Sequence, residues 1–572
     1  MFSSRFVIKA VAVLLVFWIG IILIVTKSLL YSGEPEEHVM RRLTQALNDL
    51  DLLKRQNDEL RNLIDDFKKT SNTQNKGEVL ENLENKIQHA NKILNKMEEP
   101  KSIYGRSEVP TQSQEVLHRL VYDDIKETMY YLRSEIRKIK KKLSSSFHPL
   151  VDSLESGVKE RQIAALIDVE KLGETQSEWR EKEAKELGDI IQKRITKLQN
   201  PANCNTARKL TCRLDKGCGY GCQIHHVLYC FLVAYGTERT LILKSHNWRY
   251  AKKGWESVFK PISDSCTDDY GKTSSPWPGT ENTQVVSLPI VDGVNPRPKY
   301  LPLAIPADLS DRLIRLHGNP FVLWIGHFLK YLLRPQEHIN RYLNESLTKL
   351  QFQHPIVGIH VRRTDKVGTE ADFHGIEEYM EHVDEYYQKL EMTEDVPARR
   401  VYLATDDPTV LDQAKKQYPK YIFHGNSDIA KLASINKRYS DKSLLGVILD
   451  IHALSISDYL VCTFSSQVCR IAYEIMQTLH PDASQYFHSL DDIYYYGGQN
   501  AHNQVARYNH IGKNSNEISL QKGDIVGIAG NHWDGFSKGM NRQTKESGLY
   551  PSYKTVELVD IVQFPTYLDE ET

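Results

Sequence analysis

Between Cys204 and about residue 495 the sequence predicts an α/β fold with a largely parallel sheet. Three observations carry that expectation. Apolar runs of strand length alternate with stretches of helix length. The strand-like runs end in polar clusters, at His360–Lys366, Thr405–Asp407 and Thr463–Gln467. A glycine-rich turn, Gly217 to Cys222, opens the first long apolar helical run, Ile224 to Ala234. Parallel sheets of this kind bind ligands beyond the carboxyl ends of their strands.

The elements follow in order. Arg239–Leu243 (RTLIL) reads as a strand. A helix over Pro335–Lys349 precedes the strand Ile356–His360, and another over Ile376–Leu390 follows it. Arg399–Ala404 is a strand, Thr409–Lys416 a helix, and Lys420–Phe423 a strand. Leu444–Leu460 is a long, mainly apolar helix carrying Asp450 and His452, and Tyr459–Thr463 is the next strand.

The first residues place this unit. Ala10–Thr26 is free of charge and mostly apolar, between Lys9 and Lys27. As a helix it spans roughly 26 Å, within the range of a bilayer span. No small-residue cleavage site follows closely, so the run predicts an uncleaved anchor over 10–30 with a short cytoplasmic tail, 1–9. A short span favours the thinner, earlier secretory membranes. Residues 31–200 predict a helical stem. Val39, Leu43, Ala46, Leu50, Leu53, Asn57, Leu60, Ile64 and Phe67 alternate by four and three, which is a coiled-coil seam. A second seam runs through Leu80, Leu83, Ile87, Ala90, Leu94 and Met97, and a further helical stretch holds Leu132, Ile136, Ile139 and Leu143. The seams predict a homodimer. The formal net charge of -1 gives no electrostatic case for nucleic acid.

None of the eight cysteines precedes residue 200, and an even count on the luminal side reads as disulfides. Short loops favour Cys218–Cys222 and Cys462–Cys469 and leave Cys204, Cys212, Cys230 and Cys266 unassigned. Zinc on Cys218, Cys222, His225 and His226 is the weaker alternative.

The segment GIHVRRTDKVGTE, Gly358–Glu370, concentrates chemistry. It sets His360, Arg362, Arg363, Lys366, Asp365 and Glu370 at the end of an apolar strand. Paired arginines offer rigid donor forks that fit phosphate oxygens. On extended chain neighbouring side chains point apart, so one arginine grips phosphate while the other builds the site. Asp450, inside an apolar helix, needs a hydrogen-bonding partner, and the amide and amino edge of guanine supplies one. Asp406-Asp407-Pro408 departs from a metal-binding D-x-D, and the cations neutralise a diphosphate leaving group without a metal.

From about residue 499 the pattern changes to short strands and turns. Lys522-Gly523-Asp524, Trp533-Asp534-Gly535 and Tyr550-Pro551-Ser552-Tyr553 resemble an SH3 domain, predicted over 499–560 with a tail over 561–572. The usual opening A-L-Y-D-Y and a second tryptophan are absent, which argues against a proline-peptide groove. Pro296–Pro302 reads as a rigid surface connection.

Taken together, the H-x-R-R-x-D segment, the anchored stem and the C-terminal module resemble the eukaryotic α-1,6-fucosyltransferases of N-glycan core fucosylation. The resemblance covers essentially the whole chain. It implies a Rossmann-like GT-B-type catalytic region over 201–495, a GDP-fucose donor, and N-glycosylated proteins as acceptors, attacked through O6 of the innermost GlcNAc. It implies inversion without metal or other cofactor, in a Golgi membrane protein with a luminal catalytic domain. By motif, Arg362, Arg363, His360, Asp450, Ser466, Gln467, Tyr220 and Gly221 form the donor site. Glu370 is the base, with Asp365 the alternative; Lys366 supports the base and the charged centre, while Asp365, Asp406 and Asp407 shape the site. His532 and Lys538, with Glu370, meet the acceptor glycan.

Overall fold

The computed structural model describes residues 109–363, 372–433 and 437–567. The apolar run at 10–26, both heptad seams, and Asp365, Lys366 and Glu370 lie outside the described residues. Among the described residues, no helix is long and apolar enough to cross a membrane.

Three helices come first: α1 (Gln112–Lys142), α2 (His148–Glu174) and α3 (Ser177–Gln199). Thr111 starts α1 with a reciprocal capping box to Gln114, and three lysines in its last turn complement the helix dipole. This part of the stem is built into the body. Arg119 donates to the carbonyls of Ile314 and Arg315, Arg133 pairs with Glu381 and Glu385, and α3 buries Leu187, Ile191 and Ile195 in the main core.

Two parallel sheets form the centre. The first contains β1 (Lys209–Arg213), β2 (Thr240–Lys244), β3 (Ser274–Pro276) and β4 (Val285–Ser287), in the order β2-β1-β4-β3. Helix α4 (Tyr220–Gly236) links β1 to β2 and is buried along nearly all its length. A short strand β5 (Ala304–Pro306) and helices α5 (Ser310–Leu316), α6 (Pro320–Leu332) and α7 (Glu337–Lys349) lead to the second sheet.

That sheet comprises β6 (Ile356–Val361), β7 (Arg399–Thr405), β8 (Tyr421–His424), β9 (Tyr459–Cys462) and β10 (Phe487–Ser489), in the order β10-β9-β6-β7-β8. Every pairing is parallel. Central β6 is buried at all six positions, as a strand covered on both faces must be. Its connecting helices are α8 (Ile376–Glu391), α9 (Val410–Gln417), α10 (Ser427–Leu432), α11 (Asp441–Ser455) and α12 (Gln467–Met476). The helix expected to reach Leu460 therefore stops at Ser455. There Ser455 and Ser457 donate their hydroxyls back to the carbonyls of His452 and Ala453, and Asp458 donates its N–H to Ile356 to begin β9.

All eight cysteines are paired: Cys204–Cys266, Cys212–Cys230, Cys218–Cys222 and Cys462–Cys469. Both short-loop pairs match the expectation. Among the described residues the cluster with metal-ligand spacing is Cys212, His226 and Cys230, and its sulfurs are already joined to each other.

The C-terminal unit is a five-stranded antiparallel sheet: β11 (Asn503–Ala506), β12 (Ile525–Asn531), β13 (Phe536–Asn541), β14 (Ser547–Pro551) and β15 (Thr555–Glu557), in the order β14-β13-β12-β11-β15. Its core is small, around Ala506, Ile518, Leu520, Val526 and Tyr550. Residues 560–567 are tied down. Strand β16 (Asp560–Val562) pairs with β5, Phe564 is buried, and the Tyr567 hydroxyl donates to the Tyr235 carbonyl.

Candidate active site

The carboxyl end of β6 delivers His360 and the two arginines. Arg362 donates to Asp406 Oδ2, and the Arg363 N–H donates to the other oxygen, Oδ1, at 2.8 Å. Asp406 sits at the end of the neighbouring strand β7, so the sheet register sets this pair: Val361 lies opposite Thr405. Asp407 accepts from the Thr409 N–H and hydroxyl at 2.9 and 2.7 Å. Both acids are thus committed to protein donors. The Arg363 guanidinium reaches Gln413 at 3.3 Å and Asp407 at 3.8 Å, and lies 4.8 Å from the Phe373 ring centre. Arg363 is thus engaged with Gln413, Asp407 and Phe373, whereas Arg362 is held by Asp406. Burial, then the Arg362 charge, pushes His360 down to about 4. It is a neutral imidazole at pH 7, and among the described residues its Nδ1 has no hydrogen-bond partner.

Asp450 projects from α11 beneath β7. Tyr402 donates its hydroxyl to Asp450 Oδ1 at 2.8 Å. Burial pushes this carboxyl up to about 7, only partly offset by Tyr402. A carboxyl so poised gains from a ligand that donates to its ionised form.

Two helix N-termini, those of α4 and α12, meet where Gly221 abuts Gln467. Helix α4 begins after Gly219, which has no side chain to cap it. Helix α12 begins after Ser466, whose hydroxyl makes no capping bond. Their first amides therefore keep the anion-attracting character of a helix head. The approach is close: a Cβ on Gly221 would lie 2.8 Å from Gln467 Cβ and 3.1 Å from its carbonyl carbon. Glycine is required at 221 for that reason. Tyr220 is buried with its ring edge-on to Tyr250. Arg438 comes within 3.8 Å of where a Gly219 Cβ would sit. Beneath the helix heads, His225 contacts Gln467 Oε1 at 3.3 Å through Nδ1 and Glu474 at 3.0 Å through Nε2, and Tyr494 donates to Glu474 at 2.7 Å.

His532 and Lys538 are both exposed, on the turn between β12 and β13 and on β13 itself. Next to His532, the indole of Trp533 donates to the Asp491 carbonyl at 2.9 Å. Lys216, just before the glycine turn, pairs with Asp292 at 3.6 Å. So the structure places His360 and Arg362 at the carboxyl end of β6, Asp450 on α11 against Tyr402, and Tyr220, Gly221, Ser466 and Gln467 at the meeting heads of α4 and α12. Sequence reasoning passed over Tyr250, Arg438, Glu474 and Asp491, weighed His225 only for zinc and took Trp533 only as part of the SH3-like pattern. Only Glu474 carried a local signal, a carboxylate on the apolar side of an amphipathic helix.

A family model for the α-(1,6)-fucosyltransferase N- and catalytic domains matches residues 1–495. An α-(1,6)-fucosyltransferase of Drosophila melanogaster is 45% identical over 98% of this chain and 97% of its own length. One from Caenorhabditis elegans is 41% identical over 93% of this chain and 94% of its own. The chain belongs to the α-(1,6)-fucosyltransferase family. Among solved structures, fucosyltransferase NodZ from Bradyrhizobium is 15% identical, with a TM-score of 0.28 over 47% of this chain and 93% of its own. As a member of the family the chain is a fucosyltransferase.

Proposed function

We propose that this fucosyltransferase moves L-fucose from GDP-fucose to O6 of the innermost asparagine-linked GlcNAc, inverting configuration, with a two-sheet GT-B-type body closing on the donor. One observation carries this reading: the heads of α4 and α12, neither capped by a side chain, meet at Gly221 and Gln467, while Asp406 holds Arg362 at the end of β6. A diphosphate fits between a fixed guanidinium and free backbone amides. Asp450 reads the guanine, since its carboxylate accepts from the N1–H and amino group. His360 and Tyr220 line the same pocket, and Ser466 and Gln467 meet the phosphates.

The acceptor hydroxyl needs one base, because an inverting transfer passes through no covalent enzyme intermediate. Glu370 takes that proton as O6 attacks the anomeric carbon and the bond to the diphosphate oxygen breaks. Lys366 and Arg362 compensate the departing charge, with Asp365 the alternative base. Commitment of Asp406 and Asp407 to Arg362, the Arg363 N–H and Thr409 supports a reaction that needs no metal.

The antiparallel strand order and the turn carrying His532 support an SH3-like barrel that completes the acceptor site through His532 and Lys538. Ile139, Leu143, Phe147, Leu150 and Leu154 are exposed where α1 turns into α2, which supports a homodimer through this hairpin and the stem. The apolar run at 10–26 supports a single-pass Golgi anchor with the catalytic body in the lumen.

The test is transfer of labelled fucose from GDP-fucose to an agalactosylated biantennary glycopeptide in EDTA. Full activity is expected. Activity restored only by added Mg²⁺ or Mn²⁺ would overturn the metal-free reading, and no transfer under either condition would overturn the acceptor assignment.

A further inference from the structure

The donor-site turn is tied to the C-terminal sheet by a short relay. Phe464 and Ser465, at the end of β9, donate their N–H groups to the two oxygens of Asp491 at 2.8 and 3.3 Å. The Asp492 N–H and the Ser489 hydroxyl donate to the same carboxylate at 2.6 and 3.0 Å. The carbonyl of Asp491 accepts the indole N–H of Trp533 at 2.9 Å. Trp533 itself is held in a left-handed backbone conformation, φ 53°, with its N–H donating to Asn531. That conformation is uncommon for a bulky residue and persists only where surroundings fix it. Here the surroundings are plain. Asn531 donates to Glu127 of α1 at 3.0 Å, and the indole packs against Tyr130 of α1 and His488 of β10, with ring centres 5.8 and 5.6 Å apart.

The turn so held runs directly into α12. Ser466 donates its N–H to the Thr463 carbonyl, and Gln467 abuts Gly221. Asp491 therefore uses the N–H groups before the helix and leaves the first amides of α12 for the ligand. A shift of Asp491 moves those amides.

We infer that Trp533 is a positioning residue for the donor site: through Asp491 it fixes the angle at which the head of α12 meets the GDP diphosphate, so the C-terminal module acts on the donor as well as on the acceptor. This rests on the reading that places the diphosphate at the heads of α4 and α12.

The experiment uses the whole luminal protein and Trp533→Phe, which keeps a packing ring and removes the N–H donor. GDP affinity is measured by calorimetry, and KM for GDP-fucose and for glycopeptide are measured separately. One hydrogen bond predicts GDP affinity weaker, and donor KM higher, by about 3- to 10-fold. Glycopeptide KM at saturating donor is expected to stay within about twofold. Unchanged GDP affinity, or a rise confined to glycopeptide KM, would overturn the inference. If Trp533→Phe does not fold, Asp491→Asn is expected to show the same donor-side loss, and its absence would overturn the inference equally. Wild-type protein that binds no GDP would defeat the donor-site reading instead, leaving the relay as geometry without that role.

Discussion

The two parallel sheets brace the segments at their carboxyl ends by different means. The first presents backbone. Its glycine turn leads into a helix without a capping side chain, and three of the four disulfides, Cys204–Cys266, Cys212–Cys230 and Cys218–Cys222, lie in this half. The second presents charge. Arg362 and Asp450 come from β6 and α11, and ion pairs and hydrogen bonds set their positions, with Cys462–Cys469 as that half's disulfide. Covalent bracing suits a surface that must keep its shape. Charges held by partners suit a surface whose electrostatics must change when a diphosphate leaves.

Removing charge should do the most damage. Glu370→Gln is expected to lower kcat by about 10²- to 10⁴-fold with little change in GDP affinity, read by transfer assay and calorimetry. Arg362→Ala is expected to lower kcat/KM by at least about 100-fold. It also strands Asp406, so Arg362→Lys is the control: a single-point charge should recover only part of the loss.

The backbone side should be broken by bulk instead. In Gly221→Ala the new methyl meets Gln467, and overpacking pushes the two helix heads apart. GDP affinity is expected to fall on the order of 10-fold. If Gly221→Ala bound GDP normally, the close approach of α4 and α12 would have no bearing on the donor.

Asp450 sharpens the comparison through pH. Its carboxyl is pushed up to about 7 by burial, so in the free protein it takes up a proton as pH falls through 7. Guanine donates to the carboxylate, so binding must expel that proton. GDP affinity is therefore expected to rise from pH 5 to 7, by up to about tenfold per unit, and to level off above. The sign for the free fold is the reverse. A carboxyl raised above its ordinary 3.8 costs the fold stability as pH climbs from about 4 to 7. Calorimetry in buffers of different ionisation enthalpy reads the released proton, and Asp450→Asn should abolish the slope. The smallest effect expected is that of Trp533→Phe, at about 3- to 10-fold on the donor side.

What the sequence discloses is local. The strand Ile356–His360, its arginines and the acids at 406 and 407 are legible because apolar run and polar end adjoin in the chain. So are the two disulfides that close short loops. Contacts between distant segments are not. Gly221 and Gln467 are brought together only when both sheets exist, and the need for glycine at 221 comes from that contact rather than from its own turn. Asp491 and Trp533 are silent for the same reason: a backbone carbonyl accepts the indole, and no residue type announces a carbonyl. The end of α11 at Ser455 was hidden because the apolar run continues without a break into β9, and only strand pairing decides where one becomes the other.

The central claim is that the Arg362 charge and the backbone amides of the α4 and α12 heads, one head from each sheet, together grip the β-phosphate. Calorimetry of GDP and GMP against wild-type protein and Arg362→Ala tests it most directly. The account predicts that wild type binds GDP much more tightly than GMP, and that Arg362→Ala loses most of this preference while GMP affinity changes little. A variant that still prefers GDP over GMP as strongly as wild type would contradict it.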